Sequence, residues 1–318
     1  MNLIAARSSG GLGTAGAGSA MFLVGTLTAV SATIAGYPVF GGQAARYAVA
    51  ALILLAVVRF AGGPARRPSP RDWALLAALA ATGLVAFNVC IVAATRDTSP
   101  ATIGTVIAAV PIVLALAGPL LEGRRPAPPV VLAACAVAAG AALANGLGSG
   151  SVRGLLLSLG ALAGEVCFSL LAVPLLPRLG PLRVSAYSAA LAAPMLLAVG
   201  VAVDGTAVLR VPTAGELAGF TYLSVVVTTI AFLLWYDAIG RLGADRAGLF
   251  AGLIPVSAVI TTVALGLGRP GPADLAGAAL VAAGVVAGLR TRVAPRRPAA
   301  AECVTCDPAP IGIARGSA

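Results

Sequence analysis

The sequence has no histidine and no lysine. Without histidine there is no imidazole base for a Ser/His/Asp or Cys/His arrangement, and no cluster of acids replaces it, so catalysis is not expected. The glycine-rich stretch from Gly10 to Gly18 lacks the Gly-Lys-Ser/Thr ending of a nucleotide-binding loop and the strand and helix that would flank one. Any energy for work therefore comes from gradients. Charged residues make up only 10% of the chain and aromatics 5%. Cysteine is scarce too: Cys90, Cys135 and Cys167 fall in apolar runs, where a thiol behaves as a small hydrophobe. Cys303 and Cys306 form a lone Cys-x-x-Cys in a polar tail, and without histidine or a second pair it gives little support to a zinc or redox site. No cofactor and no metal are expected.

What remains is 59% hydrophobic, with a mean hydropathy of +0.99, and cannot supply the polar surface of a soluble globule. The chain belongs in a membrane. Heavy use of Gly and Ala suits helices that pack closely through small residues, and apolar runs near 20 residues long argue against a β-barrel. The net charge of +10 comes from 21 arginines. They sit in short loops and tails beside the apolar runs, where they report topology and attraction to anionic lipid headgroups rather than nucleic-acid binding.

The segment Ala94–Ala144 returns 144 residues later as Ala238–Gly288 without a gap. Gly104 meets Gly248, Pro111 meets Pro255, Arg125-Pro126 meets Arg269-Pro270, and Pro128 meets Pro272. Ala and Val matches mean little in such a sequence, but ordered coincidence of Gly, Pro and Arg-Pro marks one unit used twice. Asp72 and Glu216 share the offset, each opening a span where a carboxylate suits the positive helix end.

The runs predict an all-α integral membrane protein of ten transmembrane helices. A flexible lead (residues 1–16) precedes a first five-helix repeat (17–146). A second five-helix repeat (154–289) and a disordered cytoplasmic tail (290–318) follow. With the N-terminus inside, sixteen arginines fall on the inner side and four outside (Arg96, Arg153, Arg210 and Arg269), with Arg46 within a span. This bias places both termini in the cytoplasm. Five spans per repeat is an odd number, so the second copy is inverted with respect to the first. Inverted repeats that rock against each other expose a central site alternately to each side, which is the logic of secondary transporters.

The chain resembles the EamA-type members of the drug/metabolite transporter superfamily over about Ala17–Leu289. The resemblance rests on the five-plus-five pattern, Arg46-Tyr47 early in span 2, Arg178-Leu179-Gly180-Pro181 after span 6 and Trp235-Tyr236-Asp237-Ala238 closing span 8. Arg241-Leu242-Gly243-Ala244 after it, and Pro111 and Pro255 within spans 4 and 9, complete it. It implies a carrier in the inner (cytoplasmic) membrane, often an exporter of amino acids or other small metabolites, with substrate held between the halves. The chain departs from the common pattern at Glu165 in span 6, where small apolar or aromatic residues are usual.

Glu165 is the acidic residue nearest the middle of a span, and an intramembrane carboxylate usually faces a cavity or takes up protons. It is the candidate for proton coupling or for a substrate amine; a protonated glutamate gluing helices is the alternative. Arg46, about one turn into span 2, offers a permanent charge to a substrate carboxylate or to Glu165, unless it snorkels to headgroups. Asp237 and Arg241 are spaced to form a pair at the inner mouth, whether a gate or an ordinary exposed helix-end pair; Arg96-Asp97 invites the same choice outside. Asn88, Tyr187 and Tyr222 are cavity-lining candidates, whereas Trp235 and Tyr236 read as interface anchors. Pro111 and Pro255 each remove a mid-span backbone hydrogen bond and permit a kink. The expected partners are a small-molecule substrate and membrane lipid, not nucleic acid, with a second copy of the chain, as a homodimer, a further candidate. The function expected is small-metabolite or amino-acid export. The rivals are an uptake or uniport carrier of another metabolite or drug-like cation, and a non-transporting membrane sensor or scaffold.

Overall fold

A computed structural model describes residues 2–60, 67–146, 149–264, 266 and 269–290. The tail from residue 291, with Cys303 and Cys306, lies outside the described residues. Ten helical spans follow one another: span 1 (Asn2–Gly25), then span 2 (Val39–Phe60), span 3 (Pro70–Ala94), span 4 (Pro100–Leu121), span 5 (Pro128–Asn145) and span 6 (Val152–Leu170). Span 7 (Leu176–Val208), span 8 (Ala214–Leu242), span 9 (Ala244–Thr261) and span 10 (Pro272–Arg290) complete the bundle. Spans 2 to 10 are each long and apolar enough to cross a membrane, and span 1 carries the shorter apolar helix Gly11–Gly25. Helix begins at Asn2, so residues 2–16, expected as a flexible lead, extend span 1. Outward-facing apolar side chains such as Leu52, Phe60 and Leu132 are at least two-thirds exposed, as a lipid-facing surface requires.

Local chemistry sets the ends. Pro70, Pro100 and Pro128 occupy the first helical position, where a missing N–H costs nothing. Ser69, Ser99, Ser151 and Thr213 cap the following helices through their side-chain oxygens. The chain re-enters after spans 5 and 8 through Gly146 and Gly243 at φ 78° and 86°, a region side chains resist. Span 7 is interrupted at Gly180 (φ 74°) and resumes at Pro181, the punctuation on which the sequence had placed its start.

The two five-helix units interlock. Span 1 packs on spans 8 and 9 of the second unit, and span 6 packs on spans 3 and 4 of the first. Spans 2 and 7 lie together, as do spans 5 and 10. Each contact thus has its counterpart under exchange of the halves, as an inverted pair demands. The seam of spans 5 and 10 is made by small residues. A Cβ on Gly140 would lie 2.8 Å from the Gly277 carbonyl oxygen, and one on Gly277 would lie 2.6 Å from the Gly140 oxygen. Backbones approach there as closely as glycine allows.

The same spans in each unit are irregular at matching places. Span 3 carries a π-turn over Ala80–Ala86 and span 8 one over Leu223–Ile230. Spans 4 and 9 are broken just ahead of their prolines. Span 4 stops at Ile107 and restarts at Val110, with Pro111 in its first turn. Span 9 passes through a 3-10 turn, Leu249–Gly252, into a helix from Leu253 that includes Pro255. The prolines therefore begin new helical segments instead of bending continuous ones, and the turn in span 9 lies against the second segment of span 4.

Candidate functional site

Arg46 lies two turns into span 2 and is 6% exposed, enclosed by the neighbouring helices. Its Nε donates to Thr228 Oγ1 at 2.6 Å, and its Nη1 to Gln43 Oε1 at 3.3 Å. Thr228 can accept because its own hydroxyl proton goes to the Leu223 carbonyl, five residues back, at 2.9 Å. That bond exists because of the π-turn, which moves each carbonyl out of ordinary helical register. Thr229 does the same with Ser224 at 2.9 Å. Among the described residues no carboxylate lies within ion-pair distance of Arg46, and the expected direct pairing with Glu165 is not formed.

Between the two charges stands Tyr47. The Arg46 guanidinium carbon is 5.4 Å from its ring centre, its hydroxyl meets the Asn88 side chain, and it lies within electrostatic reach of Glu165. Asn88 in turn donates to the Leu84 carbonyl at 2.7 Å, inside the π-turn of span 3. Glu165 is half-buried on span 6, so its side chain is not sealed in the bundle. Gly164 and Gly83 let span 6 settle against the span 3 π-turn: their Cβ atoms would fall 2.9 Å from the Thr82 carbonyl oxygen and 2.8 Å from Phe168 Cα. Tyr236 closes the other side, also within electrostatic reach of Glu165. Its hydroxyl donates to the Phe168 carbonyl at 3.3 Å, and Phe168, Phe232 and Tyr236 form a continuous aromatic group that Tyr47 joins through Phe232.

The structure thus gathers Arg46, Asn88 and Glu165 around Tyr47. It corrects the reading of Trp235 and Tyr236 as interface anchors: both are buried, and Trp235 Nε1 donates to Ser169 Oγ at 3.2 Å. Spans 6 and 8 touch along this face, so the aromatic residues near the helix end fill the junction of the halves rather than a lipid boundary. Tyr222 is bonded to Thr26 at 2.9 Å and joins spans 8 and 1. Tyr187 packs on Trp73 at 5.3 Å, near the start of span 3. Asp237 and Arg241 form their pair at 2.6 Å near the end of span 8, with both side chains more than a third exposed. Asp97 faces Arg153 at 3.6 Å. Thr228, Gln43 and Tyr47 were not singled out in the sequence as site residues; a Thr-Thr pair in an apolar span was the signal available for the first.

Two carboxylates guard the ends. Asp72 completes a capping box with Ser69 and meets Arg178, from the short helical segment between span 6 and the break at Gly180, at 3.1 Å. Glu216 completes one with Thr213 and meets Arg210 at 2.5 Å. Arg210 also donates to the Gly36 carbonyl at 3.1 Å, and its own carbonyl accepts from Tyr37 at 2.7 Å. The neighbouring carboxylate holds the Arg210 guanidinium above its ordinary pKa. In each case the stretch after the first span of one unit is fastened beside the start of the third span of the other.

Residues 12–146 and 152–289 each match the model of the EamA-like transporter family. A protein of Bacillus subtilis (strain 168), described as uncharacterized transporter YetK, is 25% identical over 240 residues, 72% of either chain. One solved crystal structure, 21% identical, has the same fold at a TM-score of 0.75 over 89% of this chain and 97% of the other. With ten apolar helices arranged as two inverted units, each matched separately along nearly its whole length, the chain is a multi-pass membrane transporter and belongs to the EamA-like transporter family.

Proposed function

We propose that the protein is a secondary carrier in the cytoplasmic membrane, with both termini inside, that exports a small polar metabolite of the amino-acid class. The observation that carries this reading is the pair of unlike charges set apart in one interior. Among the described residues Arg46 is buried without a carboxylate partner, and Glu165 on span 6 is half-buried, with Tyr47 within electrostatic reach of both. A zwitterion presents the complementary charges. Arg46 supplies the contact to the anionic group; Glu165 supplies the amine contact or carries a coupled proton. The arginine bias of the loops supports the orientation, and the lack of a nucleotide loop or catalytic constellation supports gradient-driven transport without enzymatic activity.

The test is charge movement in proteoliposomes on rapid addition of amino acids and related metabolites, comparing the intact chain with Glu165→Gln. Solute-specific currents that depend on pH in the intact chain and vanish in the variant support the carrier and the role of Glu165. Currents unchanged in rate and pH dependence remove Glu165 from the mechanism. If neither currents nor labelled counterflow occur with any solute, the carrier reading fails and the sensor or scaffold takes its place.

A further inference from the structure

A guanidinium has five N–H donors. In Arg46 the described residues take two of them, one at Nε and one at Nη1. The remaining three sit on Nη1 and Nη2, on a side chain that is 94% buried by the complement of its 6% exposure. Nη2 is not among the buried polar atoms sealed off without a partner. Nη2 therefore keeps accessible surface and is not sealed in by protein. Leaving a cation there without an anion costs free energy that a bound anionic group recovers.

The contact to Thr228 decides which edge of the guanidinium is offered. With Nε committed to Thr228 Oγ1, the edge formed by Nε and its neighbouring Nη is occupied, and the end of the fork is presented. A planar carboxylate can engage that end through two parallel hydrogen bonds. Repeat divergence points the same way. At the offset of 144, Arg46 corresponds to Ala190 and Thr228 to Leu84. The other unit keeps the π-turn over Ala80–Ala86 but has neither member of the pair. Guanidinium and threonine occur together, once, on one side of an otherwise duplicated frame.

Resting on the carrier reading above, we infer that the Nη end of Arg46 is the carboxylate subsite for an α-amino-acid substrate. Thr228, on the π-turn of span 8, is its positioning residue: it touches no substrate and sets specificity by orienting Arg46. The ligand class is an amino acid with a free α-carboxylate. Its α-amide, equal in size but uncharged at that group, is excluded.

The experiment uses the purified full chain in detergent. Thermal stabilisation is measured with each of the common L-α-amino acids and its α-amide, alongside the proteoliposome assay with any acid that stabilises. One or more acids are expected to stabilise the chain while their amides do not. Thr228→Val is expected to weaken the apparent affinity for that acid by about tenfold, equivalent to one well-placed hydrogen bond, with the maximal transport rate little changed. Thr228→Ser, which keeps the hydroxyl, restores affinity. Thr229→Val removes the equivalent bond to Ser224 without touching Arg46 and leaves affinity as it was, separating positioning from damage to the π-turn. Equal stabilisation by acid and amide, stabilisation by neither, or equal loss in the Thr228→Val and Thr229→Val variants overturns the inference. Each of those outcomes leaves the carrier reading to the charge-movement test, which does not depend on carboxylate recognition.

Discussion

Substitution of Gly140 by alanine is expected to destabilise the bundle, although alanine is the better helix former. The added Cβ falls 2.8 Å from both the Gly277 oxygen and the Val281 nitrogen, where ordinary contact begins at 3.4 Å. The atoms it meets are backbone, so no side chain can swing aside. Spans 5 and 10 must part by roughly 0.6 Å, and overpacking of this kind costs about 1–3 kcal/mol. The gain in helix propensity returns about 1 kcal/mol, leaving a net loss of up to about 2 kcal/mol, at roughly 2–4 °C in thermal midpoint per kcal/mol. Gly277→Ala meets the Gly140 oxygen at 2.6 Å and needs a slightly larger separation. Once the helices have parted for one Cβ the second enters at reduced cost, so the double variant is less destabilised than the two single losses added together, by about 1 kcal/mol. Gly240→Ala is the control: it lies on an exposed helical face with nothing within 4 Å of the new Cβ, and should raise stability by up to about 1 kcal/mol. Thermal unfolding of the purified chain, followed by helical circular dichroism, reads all four variants. Additive losses in the double variant, or Gly140→Ala melting at or above the parent, would refute the account of the seam.

Trp235→Phe removes the donor to Ser169 while keeping most of the ring, and should cost about 1 kcal/mol in the same melt; a protein unchanged by it would mean the indole N–H contributes nothing to the junction of spans 6 and 8. Asp72→Asn removes the negative charge that Arg178 meets and weakens the capping box, and should lower the thermal midpoint. Asp237→Asn, in a pair open to solvent, should leave it within error of the parent, and 0.5 M salt should erase any difference.

Much of the architecture was legible because membrane insertion leaves few options. Apolar length gave the spans, and Gly and Pro marked their ends: the sequence placed span 5 from Pro128 and span 10 from Pro272, where helices begin. The offset of 144 located both capping carboxylates, since Asp72 and Glu216 open matching helices. Burial around a helix was harder to read. A tyrosine near a span end looks the same whether it faces headgroups or another helix, and Tyr236 faces another helix. The π-turns had no sequence signature either, because residues such as Leu223–Ile230 are apolar in any register, and the extra residue per turn is decided by what packs beside them. Without that register Thr228 has no visible relation to Arg46, 182 positions away. Glu165 stood out for the opposite reason, as a costly residue where the pattern asks for none.

Span 1 is synthesised first, yet its partners are spans 8 and 9, which begin at Ala214. At ordinary elongation rates of roughly 5–20 residues per second, its partners follow it by about 10–40 s. During that interval the glycine- and alanine-lined face from Gly11 to Gly25 has only lipid, or the insertion machinery, against it. The first unit cannot complete itself from its own five helices, and neither can the second, whose span 6 sits on spans 3 and 4. Assembly of this transporter therefore waits on the last third of the chain, and a ribosome that stops early leaves in the membrane a set of helices with their partners missing.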